Sequence, residues 1–150
     1  MIERWKQSPA WEDMLVVLIA DHGIAYPEDL QTGELPRQRI PMLWTGGAVK
    51  QGGVVVNDFS SQADLAATLL RQMNIATDDF EFSKDIFSPA TPHYGFWTFN
   101  NGFGLISQEG YVRYDCTNNT VIESEGDKVE QFILDGQAII QKMHKDLLAR

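Results

Sequence analysis

The sequence predicts a mixed α/β fold in which a layered sheet is followed by an antiparallel meander and a packed terminal helix. Three patterns carry that expectation. Leu15-Val16-Val17-Leu18-Ile19-Ala20 is an unbroken apolar run of strand length. Residues 61–73 show helical spacing behind a capping signature. After Pro92 the hydrophobic period falls to two, and turn residues recur at short intervals.

The elements follow in chain order. Ile2 to Lys6 reads as the end of a helix broken by Ser8-Pro9. The run from Leu15 reads as a strand buried on both faces, because nothing in it is polar. A polar stretch from Gly23 to Arg39 follows, punctuated by Pro27, Gly33 and Pro36. Its length beside a strand end marks it as a functional loop. Ile40 to Thr45 is a second apolar strand stopped by Gly46-Gly47, and Gly53 to Asn57 reads as a third short strand or an extended arm. Ser61-Gln62-Ala63-Asp64 opens a helix whose stripe is Leu65, Leu69 and Met73, with Ala66 and Leu70 beside it. Asn74 suits its left-handed end. Strand followed by helix is the order of a layered parallel sheet.

In the second half, Tyr94 to Asn100, Phe103 to Ser107, Tyr111 to Cys116 and Thr120 to Glu123 alternate as strands. Asn101-Gly102, Glu109-Gly110 and Asn118-Asn119 suit the tight turns between them. A helix from about Asp127 to Leu148 carries the stripe Val129, Phe132, Ile133, Ile140, Met143 and Leu147, expected to lie on the meander. Gly136 falls on the same stripe and suits close backbone approach.

Composition narrows the function. A chain of 150 residues with 43% hydrophobic content can build a real core. A net charge of −9 argues against nucleic acid as a partner and against a polybasic membrane patch. No apolar stretch is long enough to cross a bilayer, so no direct membrane insertion by this segment is expected. The charged residues after Met1 do not read as a signal peptide. Cys116 is the sole cysteine, which excludes an internal disulfide and a CxxC pair. With no cationic neighbour to stabilise a thiolate, Cys116 reads as inert.

The chemistry concentrates at Asp21-His22-Gly23, directly after the first strand. Ligands of open α/β sheets sit beyond the carboxyl ends of strands. A carboxylate oxygen and an imidazole nitrogen suit a divalent metal, and the imidazole favours Mn, Mg or Zn over Ca. Arg39 has the fork that grips sulfate or phosphate oxygens, against the commoner role of pairing with a surface carboxylate, which is favoured; Arg37 is similar. Ser60 and Ser61 lack a neighbouring base, and capping accounts for Ser61. His93 and His144 read as structural or exposed, and the aromatic residues Trp44, Phe96, Trp97, Phe99 and Phe103 read as core.

The order of blocks then points to a family. A strand ending in Asp21-His22-Gly23 is followed by Arg39-Ile40-Pro41-Met42-Leu43-Trp44. After it come Ser61-Gln62-Ala63-Asp64-Leu65-Ala66-Ala67-Thr68-Leu69-Leu70 and the Phe96-to-Gly104 meander. This resembles the C-terminal part of sulfatases in the alkaline phosphatase superfamily, most of all the lipoteichoic acid synthase and phosphoethanolamine or phosphoglycerol transferase group. The resemblance implies a truncated alkaline-phosphatase-like layered sheet over residues 1–88 and an antiparallel subdomain with its helix over residues 89–150. It implies that Asp21 and His22 ligate a divalent metal (Mn, Mg or Zn).

The family's Thr, Ser or Cys nucleophile, its other acidic ligand and its substrate-binding histidines belong upstream of such a block. The expectation is therefore a C-terminal fragment of a metal-dependent enzyme that transfers a phosphoglycerol or phosphoethanolamine group, or hydrolyses a sulfate or phosphate ester. Alone it would be inactive. Its expected partner is the missing N-terminal part of the catalytic domain, or a second copy in a homodimer. The parent would be a membrane-anchored enzyme of the cell envelope with its catalytic domain in the periplasm or outside, this segment being soluble. The alternative is a non-catalytic, self-associating interaction module. A flavodoxin-like receiver fits poorly, because the second half is antiparallel.

Overall fold

The computed structural model describes residues 1–24 and 29–150; Pro27 of the expected turn signals lies outside them. Two compact units are present, Met1–Val56 and Asn57–Arg150. That division follows compactness, whereas the expected boundary after residue 88 follows the change from helical to strand periodicity.

The first unit holds α1 (Ile2–Trp5), a 3₁₀ turn (Pro9–Asp13), β1 (Val16–Ile19), α2 (Leu35–Gln38) and β2 (Met42–Thr45). The Ser8 hydroxyl caps the 3₁₀ turn by accepting from the Ala10 N–H, with Pro9 at the first position. β1 and β2 pair in the register Val16–Thr45 to Ile19–Met42, and they run antiparallel. This corrects the expected parallel order. A parallel return needs a crossover that carries the chain back to the start of β1. Here the connector includes only the single-turn α2 among its described helices, and it delivers the chain back at the end where β1 stops.

The expected two-sided burial of β1 is also corrected. Leu18 and its cross-strand partner Leu43 are exposed, because within this unit no described helix exceeds five residues and none covers that face. Gly53 to Asn57 forms no strand, and Val54, Val55 and Val56 are exposed.

The second unit begins with a 3₁₀ turn (Gln62–Asp64) leading into α3 (Leu65–Gln72). The Asp64 carboxylate accepts from the Ser61 N–H, as a capping box requires. Asn74 closes the helix at φ 58. The buried positions of α3 are Ala67 and Thr68, not the expected stripe, and Met73 is exposed. The reason is the segment around Ser83 to Ile86, which lies along the Ala67–Thr68 side. The Ala67 N–H donates to the Ser83 hydroxyl, and the Ile86 N–H donates to the Thr68 hydroxyl.

Strands β3 (Tyr94–Phe99), β4 (Gly102–Ser107), β5 (Gly110–Asp115) and β6 (Thr120–Glu125) form an antiparallel meander in sequence order. Asn101 and Asn119 adopt positive φ at the expected turns. Alternate residues of β4 and β5, namely Phe103, Leu105, Val112 and Tyr114, face α4 (Val129–Ala149) and form the core with Phe132. Phe103 is fully buried, its ring 5.9 Å from Phe96 and 5.6 Å from Tyr114. A Cβ on Gly136 would overlap the Phe103 ring, so glycine lets the helix settle onto the sheet.

The far end of the α4 stripe departs from expectation: Met143 and Leu147 are exposed. The 21 residues of α4 extend for about 31 Å, whereas a six-residue strand extends for about 20 Å. The last turns therefore project past the sheet.

Candidate metal centre

Asp21 and His22 follow β1, where Ala20 still holds the ribbon by donating its N–H to the Pro41 carbonyl. The Asp21 Oδ1 accepts from the His22 N–H at 3.0 Å, which turns the carboxylate toward its neighbour. The His22 Nε2 lies 3.7 Å from the Asp21 Oδ2, and both side chains are largely exposed. The two groups thus share one side of the chain and open to solvent.

The donor chemistry fits a divalent ion in part. Two ligands bound at about 2.1 Å in tetrahedral geometry stand about 3.4 Å apart. The 3.7 Å separation is close to that bite. His22 Nδ1 lies 2.9 Å from the Gly23 carbonyl. A ring that donates Nδ1–H to a carbonyl keeps the Nε2 lone pair free for a metal. The set is nevertheless incomplete: among the described residues no cluster of three His, Cys, Asp or Glu side chains forms.

The local chain explains the placement. A Cβ on Gly23 would overlap the Arg37 carbonyl oxygen, so the turn after His22 packs backbone to backbone against α2. Arg37 donates through Nη1 to the Leu30 carbonyl, and Gln38 donates to the Thr32 and Glu34 carbonyls. These bonds brace the described part of the connector.

Arg39 is exposed and lies two residues before Pro41, at the end of the ribbon that carries Asp21. Among the described residues it forms no salt bridge, contrary to the expected surface pairing. His93 is half-buried and His144 exposed, and neither joins a metal-binding cluster. The Ser61 hydroxyl accepts from the Phe96 N–H at 2.8 Å and donates to the Phe96 carbonyl, so it ties the helix entry to β3. The Cys116 thiol is exposed, with its pKa pushed up by partial desolvation and then by the Asp115 carboxylate, which suits an inert thiol.

Sequence reasoning placed Asp64 in the capping signature and missed the polar cluster that it anchors within the second unit. Asp64 is 1% exposed. Both of its carboxylate oxygens accept from Lys84 Nζ at 2.8 Å, and Oδ1 also accepts from the Lys84 N–H at 2.9 Å. The ammonium lies 4.0 Å from the Tyr94 ring centroid. Thr68, fully buried, bonds to the Asp64 and Lys84 carbonyls. Burial lifts the Tyr94 phenol above its ordinary range, with a smaller push from Asp64. Twenty residues separate Asp64 from Lys84, and no local pattern links them.

No family model matches the chain, and no curated protein matches it. A solved structure does: the crystal structure, to 1.95 Å, of a protein in the alkaline phosphatase superfamily from Vibrio parahaemolyticus. The similarity has a TM-score of 0.62 at 19% identity and covers 85% of this chain. The chain spans 34% of that protein. The fold is therefore mixed α/β, with a four-stranded antiparallel sheet and a C-terminal helix, and is similar to part of an alkaline phosphatase superfamily fold. No described helix is long and apolar enough to cross a membrane.

Proposed function

We propose that this chain is the C-terminal part of a metal-dependent enzyme of the sulfatase branch, acting on phosphate or sulfate esters or transferring phosphoglycerol or phosphoethanolamine. The observation that carries this reading is the pairing of Asp21 and His22 beyond β1, 3.7 Å apart and open to solvent, on a fold similar to part of an alkaline phosphatase superfamily protein. Asp21 contributes a carboxylate oxygen and His22 a ring nitrogen. Arg39, at the same end of the ribbon, contributes a fork for ester oxygens. A bound divalent ion would neutralise charge on those oxygens. Two donors do not complete the shell of a divalent ion, and among the described residues no third joins them, so no turnover is expected from this chain alone.

Calorimetric titration with Mn²⁺, Mg²⁺ and Zn²⁺ tests the reading. One weak site, lost in both Asp21→Ala and His22→Ala, is expected. Binding that survives both substitutions contradicts it.

The exposed Leu18–Leu43 pair favours a second reading of the same ribbon, as a surface that associates with further polypeptide. That polypeptide is either the rest of the catalytic domain or a second copy of this chain. Light scattering showing a dimer that Leu18→Asp dissociates supports self-association, and a monomer at high concentration removes it.

A further inference from the structure

We infer that Gly23 is a positioning residue that sets the tautomer and direction of the His22 imidazole, an inference that rests on Asp21 and His22 being metal ligands. Two contacts of Gly23 act together. Its carbonyl lies 2.9 Å from His22 Nδ1, within reach of an Nδ1–H. Its α-carbon sits so close to the Arg37 carbonyl oxygen that any side chain at position 23 would overlap it. The obstacle is backbone, so it cannot swing aside as a side chain would. The close contact holds the Gly23 peptide in place, and the peptide's carbonyl holds the ring.

The consequence is chemical. A neutral imidazole carries one proton, and a carbonyl facing Nδ1 draws that proton to Nδ1. Nε2, 3.7 Å from Asp21 Oδ2, is left as the nitrogen with the free lone pair. A histidine free in water favours the opposite tautomer, with the proton on Nε2. Gly23 thus fixes which ring nitrogen of His22 faces the backbone and which faces outward. The choice of glycine follows from the close approach to Arg37 and not from a left-handed φ.

Long-range ¹⁵N–¹H spectra of the metal-free protein test this at about pH 8.5, roughly two units above the ordinary imidazole value. His93 and His144 serve as internal references. The expected result is a protonated Nδ1 and a bare Nε2 at His22. Gly23→Ala is expected to restore the Nε2–H form and to weaken Zn²⁺ binding about 10- to 100-fold, the usual cost of losing such an orienting partner. Arg37→Ala keeps the backbone carbonyl and is expected to leave the tautomer unchanged. An Nε2–H signature at His22 in the parent protein overturns the inference, and that measurement stands even where Gly23→Ala fails to fold. An Nδ1–H signature without Zn²⁺ binding supports the positioning role and overturns the metal reading.

Discussion

Replacing Lys84 with methionine strands a carboxylate in the interior of the second unit. Asp64 is 1% exposed and would lose two Nζ contacts of 2.8 Å, keeping the Ser61 and Lys84 N–H groups at 2.8 and 2.9 Å. Breaking a buried ion pair from one side costs about 3–5 kcal/mol. The two retained backbone donors place this case near the lower end, about 3 kcal/mol. In a unit of under a hundred residues, each kcal/mol moves Tm by about 4–8 °C. The expected loss is therefore about 12–24 °C in Tm. Urea unfolding followed by circular dichroism reads the free energy directly, with the m-value checking that the unfolding transition is unchanged in kind. The double variant Asp64→Leu/Lys84→Met removes both charges and is expected to cost less than the sum of the single changes. A loss below about 1 kcal/mol for Lys84→Met alone would refute the reading of this pair as the unit's internal anchor.

Gly136→Ala places a methyl against the fully buried Phe103 ring and is expected to cost about 1–3 kcal/mol by overpacking, read by the same unfolding assay. Tyr111 donates to Glu123 at 2.6 Å, a bond to a carboxylate that raises the phenol to about 12. Ultraviolet titration is expected to show a tyrosine ionising there, and Glu123→Gln is expected to return it toward 10. Glu123 is held below its ordinary value of 4.5, first by the Tyr111 hydrogen bond and then by Arg113. Its contribution to stability is complete above 4.5 and is lost as pH falls through the lowered value in the folded protein, so Glu123→Gln is expected to flatten the acid side of the stability profile.

Period-two alternation and the Asn and Gly turns were enough to place the four meander strands, because β4 and β5 bury alternate residues against α4 and the turns demand positive φ, while β6, exposed along its length, was placed by its turn and its pairing with β5. That Asp21 and His22 stand together beyond β1 was legible for a similar reason: the two side chains are adjacent in sequence, directly after an apolar strand. What sequence periodicity missed were effects of extent and distance. The α4 stripe runs on after the sheet ends, so Leu147 follows the pattern and still faces solvent. The direction of β2 depends on where a long connector returns the chain, which apolar content does not record. Lys84 reaches Asp64 across twenty residues, and a lone lysine in a polar stretch carries no mark of that partner.

Paramagnetic broadening by Mn²⁺ tests the metal site most directly. At substoichiometric Mn²⁺, amide signals of residues 20–24 are expected to fade first, and Asp21→Ala is expected to abolish the effect. Broadening centred on other carboxylates of this acidic chain, or unchanged by that substitution, would contradict the account.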